Sequence, residues 1–285
     1  RLRVKSTTER TRAQRFLDIS QRGALPVPLS YYGAKSGRWT ASKGSAINMQ
    51  NLKRGSFLRK AILAPQGHQL VVGDLSQIEP RVLAWMADYD DMLDIFKAGG
   101  DPYAAFGAKM FGIPGMTKES HPDLRQSAKS ALLGCGYGLG WASFASQLLT
   151  GFLGAPPVLY DKGFAKRLGV DSDYVDRFLD WDDNMVRMQE IPHTCSDGEL
   201  LIHCVAAKKI IDVYRSTAHP VVSFWDMLGS LIVTSLAGGK EFRYKCITFK
   251  KGEIGLPNGM ALLYPDMRQV KDEQGRSQWV YGPNA

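Results

Sequence analysis

An acidic residue, Asp74, stands where an apolar stretch gives way to a polar one, within the segment Gly73-Asp74-Leu75-Ser76-Gln77-Ile78-Glu79-Pro80-Arg81. Residues 68–75 predict a buried strand because they follow a Gln-Gly turn and are rich in Leu and Val. A carboxylate at the end of such a strand suits a hard cation such as Mg2+, which binds through one or two fixed oxygens and substrate phosphates. The same carboxylate could cap a helix or a turn, but Glu79 and Arg81 nearby favour the functional interpretation.

A second pattern places Arg125, Lys129, Leu133 and Tyr137 at steps of four, followed by Gly138. Steps of four keep side chains on one face of a helix, and eight residues span about 12 Å at a rise of about 1.5 Å per residue. That length matches a triphosphate with its sugar, and Arg and Lys supply a fork and a point charge for phosphate oxygens. A helix with this spacing could lie along a nucleoside triphosphate, although the helix pattern by itself favours the simpler alternative. An amphipathic helix with a solvated basic edge has the same pattern.

A polar segment before residue 74 combines glycine, amides and cations. Its parts are Ser36-Gly37-Arg38-Trp39-Thr40, then Asn48-Met49-Gln50-Asn51, then Lys53, Arg54, Arg59 and Lys60. Flexible backbone, amide side chains and positive charge suit contact with the backbone and minor groove of a nucleic-acid duplex. A polar surface loop is the alternative.

The composition is that of a folded, basic protein. The 285 residues include 36 Lys and Arg against 28 Asp and Glu, a formal charge of +8, and 44% are hydrophobic. These values exclude a disordered chain, a collagen-like repeat and a small disulfide scaffold, and the charge indicates a polyanionic partner such as nucleic acid. Four cysteines do not make a disulfide framework, and His193, Cys195, His203 and Cys204 match no zinc spacing. We expect reduced thiols, with Cys135 in the core.

The predicted elements give a mixed order. Helices are expected over 1–22, from a cap at about Ser76 onward, over 103–111, over 123–134 and across most of 158–236. Strands are expected over 242–249 and on both sides of a two-residue turn at Asn258-Gly259. Helices and strands occur in blocks rather than alternating, which predicts an α+β fold. Residues 131–160 carry no charge, but Gly and Pro interrupt them, so we expect a buried helix and a loop rather than a membrane span.

Together and in this order, these motifs resemble family A DNA polymerases, most closely the phage versions. Residues 74–81 are similar to the first catalytic motif of that family, and Arg125, Lys129, Tyr137 and Gly138 match its fingers-helix motif. Similarity also extends to Gly37-Arg38-Trp39 with residues 48–51, to residues 100–103 and to residues 256–259. The resemblance covers nearly the whole chain.

The resemblance implies two Mg2+ ions and a bound dNTP. Asp74 would hold both ions, with Leu75 beside it in the metal site. Arg125 and Lys129 would bind the triphosphate of the incoming nucleotide. Two metals would activate the primer 3′ hydroxyl and stabilise the leaving pyrophosphate.

The resemblance also assigns residues around the sugar and the DNA. Glu79 would fill the space beside the 2′ carbon and exclude ribonucleotides, and Tyr137 would close against the same region. Gln77 and Leu133 complete the nucleotide site. Arg38 would contact the primer–template minor groove. The full set of expected DNA-binding residues is Arg38, Asn48, Gln50, Asn51, Arg81 and Gly138.

The implied architecture is a right hand, with mostly helical fingers on a small antiparallel palm sheet. Residues 1–30 would end the thumb, and residues 31–82 would form the palm segment with the first motif. Residues 83–255 would form the fingers, and residues 256–285 a hairpin that returns toward the palm. The implied activity is template-directed DNA synthesis in phage or bacterial replication, in the cytoplasm (of the host for a phage), with primer–template DNA and dNTPs as partners and no membrane.

The chain departs from the family pattern in three places. Leu133 stands where Phe or Tyr is usual, which bears on sugar discrimination, and Pro80 replaces an aliphatic residue. The third motif of the family, a His-Asp-Glu run with the second metal-binding carboxylate, is absent from the sequence. The chain also begins with Arg1 rather than Met. We therefore expect a truncated or split polymerase that needs a C-terminal polymerase fragment or the remainder of its chain and is inactive alone.

Two other functions stay open from the residues. A non-catalytic nucleic-acid-binding subunit derived from a polymerase would keep the basic surface without synthesis. A relative of the single-subunit RNA polymerases would share Asp74, Lys129 and Tyr137. Glu79 argues against that relative, because the resemblance makes this acid the gate that selects deoxynucleotides.

Overall fold

The computed structural model describes residues 2–34, 37–44, 47–52, 55–151, 156–272 and 275–283. The chain divides into two compact units, Arg1–Asp74 and Leu75–Ala285. Helices dominate, and the sheets are small and antiparallel, so the predicted α+β class is confirmed.

The first unit contains little regular secondary structure apart from its opening helix. Its elements are α1 (Leu2–Ser20), β1 (Leu29–Ser30), β2 (Thr40–Ala41), a 3-10 turn (Met49–Asn51) and α2 (Phe57–Lys60). The helix expected over 1–22 is therefore present, and the described residues among 31–51 are mostly turn and loop, as the Gly, Ser and Asn content of this segment indicates. β1 and β2 pair antiparallel, with Ser30 opposite Thr40.

The second unit is a helical body followed by strands. Its helices are α3 (Ile78–Met86), α4 (Asp90–Lys97), α5 (Pro102–Phe111), α6 (Pro122–Gly136), α7 (Trp141–Thr150), α8 (Lys162–Arg167), α9 (Ser172–Leu179), α10 (Asp182–Gln189), α11 (Asp197–Thr217) and α12 (His219–Leu231), and a π-helical turn spans Ile232–Ala237. The helices predicted at 103–111, at 123–134 and across 158–236 are confirmed.

The core of this unit is organised by α11. A capping box starts this helix, because the Ser196 hydroxyl accepts the N–H of Glu199 while the Glu199 carboxylate accepts the N–H of Ser196. α11 packs against α6, α7 and α8. Its fully buried residues are Leu200, His203, Cys204, Val205, Ala206, Ala207 and Ile210. Each large apolar side chain among them contributes about 1.5–3 kcal/mol by leaving water. Cys135 of α6 lies in the same core, as predicted.

The strands form a meander and a separate hairpin. The meander contains β3 (Phe242–Tyr244), β4 (Ile247–Lys250), β5 (Glu253–Gly255) and β6 (Ala261–Leu263), and the hairpin contains β7 (Arg268–Lys271) and β8 (Ser277–Val280). The Tyr244 hydroxyl donates to the carbonyl of Met86 at 2.6 Å. Lys245 Nζ donates to the carbonyl of Trp85 and lies 2.6 Å from Asp88 Oδ1. A cation on the last carbonyls of α3 also complements the helix dipole, so the meander stabilises the end of this helix.

The strand predicted over residues 68–75 is wrong. These residues have no regular secondary structure, and Val71 and Val72 are almost fully exposed. A strand needs a neighbour to bond its N–H and C=O groups. Within the described ranges, no strand pairs with this segment. The predicted Ser76 cap is also wrong, because α3 starts at Ile78 after Gln77, which has φ 57 and no side-chain cap bond.

Two predictions about the later strands also need correction. Residues 242–249 form a hairpin rather than one strand, because the chain turns at Lys245 and Cys246 with Lys245 at φ 50. The loop at Asn258-Gly259 joins β5 to β6 but is longer than two residues. The Leu256 N–H donates to the Met260 carbonyl at 2.7 Å, which leaves a three-residue loop. Gly259 has φ 81, the left-handed conformation that such loops require.

Two apolar stretches of the chain are compared with the requirements for a membrane-spanning helix. Residues 131–160 contribute the end of α6 and the whole of α7 to the core, followed by irregular chain among their described residues. Among the described helices, one run, His219–Ala237, is long and apolar enough to cross a bilayer, with 28% of it buried. Val221 and Phe224 of this run pack into the core.

Candidate active site

The helix α6 positions the four residues that the sequence spaces at steps of four. We call them the stripe: Arg125, Lys129, Leu133 and Tyr137. Pro122 occupies its first turn, where a missing N–H costs little. Arg125, Lys129 and Leu133 are half-buried on one face of α6, so the prediction that they share a helix is confirmed. Tyr137 is the residue that caps the helix end, and its side chain is 62% exposed. The stripe thus continues past the helix by one residue.

Arg125 is held from two directions. Its Nε donates to Asp101 Oδ2 at 2.5 Å. Its guanidinium carbon lies 5.2 Å from the centroid of the Tyr103 ring, and Lys129 Nζ lies 5.8 Å from the same centroid. One aromatic ring therefore contacts both cations of the stripe by cation–π geometry.

Asp101 and Tyr103 take their places from the start of α5. Asp101 caps this helix, because its Oδ1 accepts the N–H groups of Tyr103 and Ala104. Burial acts to raise the pKa of Asp101, but the Arg125 hydrogen bond and the two backbone N–H groups outweigh it and hold that pKa below its usual range. Asp101 is therefore an anion beside Arg125 at neutral pH.

The electrostatic surroundings of Tyr103 link α5 to α3. Burial raises the pKa of Tyr103, the charge on Arg125 lowers it, and the carboxylates of Asp101 and Glu79 raise it further. The net pKa lies above the usual value, so this hydroxyl stays protonated. Tyr103 thus lies within electrostatic reach of Glu79 on one helix and Arg125 on another.

A cavity of about 500 Å³ lies between α3, α6 and α12. Glu79, Leu133 and Tyr137 all line it, so the structure brings together three residues that the sequence placed around the sugar. The rest of the lining is largely apolar: Ile78, Pro80, Val82, Leu83, Ala84, Met86, Tyr89, Met92, Phe106, Leu132, Gly136, Tyr214, Thr217, Ala218, Val221, Phe224 and Ile247.

Gln77 and Arg81 have structural contacts at the start of α3. Gln77 occupies the left-handed cap position, and Arg81 Nε donates to the carbonyl of Ser76 at 3.0 Å. The Arg81 guanidinium carbon lies 4.3 Å from the centroid of the Phe96 ring. Gly138, after α6, has φ 74, a conformation that favours glycine.

The expected metal site has an incomplete set of ligands. Asp74 is exposed at the end of the first unit, and Leu75 is exposed at the start of the second. Across the part of the chain that the structure describes, no three His, Cys, Asp or Glu side chains form a metal-binding group. The carboxylate of Asp74 fits a hard cation in kind, but it is one ligand of a set.

The predicted DNA-binding residues of the first unit lie around its short strands. Arg38 is exposed, Gln50 Nε2 donates to the carbonyl of Trp39 at 2.7 Å, and Asn48 Oδ1 accepts the N–H of Gln50. The rings of Tyr31 and Trp39 meet edge to face at 5.0 Å. The side chain of Asn51, and Ser36, Lys53 and Arg54 altogether, lie outside what the structure describes.

Charge is divided unequally between the two units. Residues 1–74 contain 14 Lys and Arg against 3 Asp and Glu, a net charge of +11. Residues 75–285 contain 22 against 25, a net charge of −3. The whole positive excess therefore belongs to the first unit.

Sequence reasoning did not find the partners of the two cations. Asp101 and Tyr103 belong to a run noted for its resemblance to the family, but no contact with Arg125 or Lys129 was expected. The pair Asp101-Pro102 could have predicted the start of α5, since Asp followed by Pro is typical of a helix start. Asp101 and Arg125 are 24 positions apart on different helices, so no local sequence pattern predicts their ion pair.

Comparison with known proteins agrees with these motifs. The family model described as "DNA polymerase family A" matches residues 9–156. DNA polymerase I of Pseudomonas aeruginosa is 36% identical over 119 residues, which is 40% of this chain and 12% of the relative. The DNA polymerase of Bacillus phage SP02 is 30% identical over 142 residues, 38% of this chain and 22% of the relative. The thermostable DNA polymerase I of Thermus aquaticus is 30% identical over 130 residues, 44% of this chain and 15% of the relative.

The matched part thus spans less than a quarter of each of these relatives. No solved structure matches the chain. The family model covers more than half of the 285 residues and includes both main motifs. The chain therefore belongs to DNA polymerase family A.

Proposed function

We propose that the chain takes part in template-directed DNA synthesis, in which a dNTP is joined to the 3′ hydroxyl of a primer. The observation that carries the proposal is the stripe on α6. Arg125 and Lys129 share the Tyr103 ring at one end, and Leu133 and Tyr137 line a cavity with Glu79 at the other.

The cationic end of the stripe suits a triphosphate. From Arg125 to Lys129 the helix rises about 6 Å, which is one turn and close to the length of two linked phosphates. A guanidinium offers paired donors and an ammonium offers a mobile point charge, so the two cations complement each other. Both are half-buried, where charge–charge attraction is screened less than at a fully exposed site.

The cavity end suits the sugar of the same nucleotide. Leu133 and Tyr137 present an apolar and an aromatic surface, and Glu79 adds the one carboxylate among the residues that line the cavity. We propose that Glu79 and Tyr137 exclude a 2′ hydroxyl, so that the site accepts deoxynucleotides. Leu133 is smaller than the aromatic residue usual in the family, which leaves more room beside the sugar.

Family A DNA polymerases generally use divalent metal ions. We propose that Asp74, with Leu75 beside it, would hold Mg2+ in this chain. Bound Mg2+ would supply Lewis-acid activation of the primer hydroxyl and neutralise charge on the leaving pyrophosphate. The chain's own residues would bind and orient the triphosphate and exclude ribonucleotides.

The first unit suits the primer–template. Its net charge of +11 favours a polyanion, and Arg38 with the amides of Asn48 and Gln50 offers donors to phosphate and minor-groove atoms. We propose that the right-hand division of the family applies here, with residues 1–30 ending the thumb, 31–82 as the palm segment, 83–255 as fingers, and 256–285 as a hairpin that returns toward the palm. Closure of the fingers would complete the site around a matched base pair.

A second function is favoured by one observation. In the described ranges, no three His, Cys, Asp or Glu side chains form a metal-binding group, as a polymerase-derived subunit that binds nucleic acid without synthesis would allow. To separate the two functions, primer extension with Mg2+ is measured for the chain alone and for the chain mixed with the C-terminal segment of a family A polymerase that carries the His-Asp-Glu motif.

We expect no extension by the chain alone and extension by the mixture. Tight binding of the primed template with no extension in either sample would favour the non-catalytic subunit. Rapid extension by the chain alone would show that the missing ligand is not needed.

A further inference from the structure

The two carboxylate oxygens of Asp101 have separate partners. Oδ1 accepts the N–H groups of Tyr103 and Ala104 at 3.0 and 3.3 Å and so caps α5. Oδ2 accepts Nε–H of Arg125 at 2.5 Å on α6. One side chain therefore fixes the start of one helix and the orientation of an arginine on the next.

The contact uses one edge of the guanidinium. Arginine has five N–H donors, and Asp101 engages the one on Nε. The two terminal amino groups, which form the fork that matches phosphate oxygens, are not in this contact. The Arg125 side chain is 18% exposed and that of Asp101 is 30% exposed. The pair is therefore partly buried but still accessible to a ligand from solvent.

The Tyr103 ring restricts the same guanidinium from another side. Its centroid lies 5.2 Å from the guanidinium carbon and 5.8 Å from Lys129 Nζ. The N–H of Tyr103 is one of those that Asp101 caps, so the ring and the carboxylate both belong to the start of α5.

We propose that Asp101 is a positioning residue for the triphosphate. It holds Arg125 by Nε so that the fork of terminal amino groups is turned toward a phosphate, while Tyr103 keeps Lys129 beside that fork. Fixing a long side chain before the ligand arrives removes conformational entropy that binding would otherwise cost. The inference deepens the proposed function and rests on it.

Two other roles of Asp101 predict different effects of its removal. If Asp101 only neutralised Arg125, a phosphate would have to displace it, and removing its charge would tighten phosphate binding. If Asp101 only capped α5, its loss would affect stability and all ligands equally. The positioning role predicts a loss that is specific for the triphosphate and depends on Arg125.

The test compares Asp101→Asn with a matched change. Asparagine keeps an Oδ1 that can cap α5 but faces Arg125 Nε with an amide donor or an uncharged oxygen. Asp171→Asn is the control, because Asp171 caps α9 by accepting the N–H of Tyr174 at 2.8 Å. Dissociation constants for dGTP with Mg2+ and for deoxyguanosine are measured by calorimetry on the full chain, in wild-type and Arg125→Ala backgrounds, with thermal midpoints for each variant.

We expect Asp101→Asn to weaken dGTP binding about tenfold, to leave deoxyguanosine binding unchanged, and to have no further effect in Arg125→Ala. Asp171→Asn should leave both affinities unchanged. Unchanged or tighter dGTP binding by Asp101→Asn, or an equal loss in the Arg125→Ala background, would overturn the positioning role while leaving the proposed function in place. A wild-type chain that does not distinguish dGTP from deoxyguanosine would overturn both.

Discussion

Glu79, in the first turn of α3, and Tyr137, at the end of α6, line the same cavity. Fifty-eight residues separate them in the sequence, and the packing of α3 against α6 brings them together. The cavity therefore has a carboxylate and a phenol at a largely apolar wall. Under the proposed function, sugar selection would therefore depend on the packing of the two helices and not on either motif alone.

Replacing Glu79 with Ala should admit ribonucleotides when the chain is assayed together with the C-terminal segment of a family A polymerase. The shorter side chain would open space for a 2′ hydroxyl beside Leu133. The ratio of kcat/KM for dNTP over rNTP should fall by roughly 100-fold or more, since an excluding contact is worth a few kcal/mol. Glu190→Ala, at an exposed site on another surface, is the control. Unchanged sugar selectivity in Glu79→Ala would refute the gate.

Replacing Lys129 with Ala should weaken nucleotide use more than DNA binding. A charge-assisted contact with phosphate contributes about 1.5–3 kcal/mol, so the KM for dNTP should rise roughly 10- to 100-fold. The dissociation constant for primed template should change less than twofold. Lys118→Ala removes an exposed lysine from the same unit and should change neither. Equal losses in nucleotide and DNA affinity would indicate a simple basic surface.

Duplex binding should depend steeply on salt, and residues 1–74 should set that dependence. Replacing Arg38 with Ala should lower the slope of log K against log salt by about 1, since one phosphate contact is lost. Lys166→Ala in the second unit should leave the slope unchanged. The slopes are obtained by fluorescence anisotropy between low and moderate salt. Equal effects of the two substitutions would contradict the assignment of DNA binding to the basic unit.

Stability should fall at mildly acidic pH because of His203. This ring is fully buried, its Nδ1 accepts the N–H of Tyr160 at 3.0 Å, and its Nε2 lies 3.1 Å from the carbonyl of Ala145, to which it donates. Burial lowers the pKa of His203, and the Ala145 carbonyl offsets part of that effect. The unfolded chain therefore takes up a proton below about pH 6.5, while the folded chain does not.

The free energy of unfolding should then decrease by about 1 kcal/mol for each pH unit below about 6.5, until the folded pKa is reached. Urea unfolding at several pH values measures this slope. His203→Gln keeps polar atoms at the site and should flatten the slope in this range, whereas His68→Gln, at an exposed position, should not. If the Gln variant does not fold, the NMR titration of His203 in the wild type decides, and a pKa at or above 6.5 would contradict the prediction.

The helices were predictable because their signals are local. Asp101-Pro102 starts α5, and apolar residues at helical spacing mark α6 and α11. The turn at Lys245 had no signal, since lysine is uncommon in the left-handed conformation that it adopts there. Residues 68–75 have a strand-like composition, but strand formation depends on a partner that composition does not reveal.

The site was partly predictable for the same reason. Arg125, Lys129 and Leu133 share a helix, so their spacing alone placed them on one face. The cavity that joins Leu133 to Glu79 and the ion pair of Arg125 with Asp101 depend on packing between helices, and no pattern within either helix specifies them.

The most direct test of the account is single-turnover incorporation of one dNTP on a primed template with Mg2+, by the chain mixed with the C-terminal segment of a family A polymerase. Asp74→Asn should reduce the incorporation rate by about 1,000-fold or more, because metal-assisted charge stabilisation is worth several kcal/mol. Affinity for the primed template should stay within about twofold, and Asp266→Asn should be normal in both assays. Incorporation by Asp74→Asn at a rate near that of the wild type would contradict the assignment of this carboxylate to the catalytic centre.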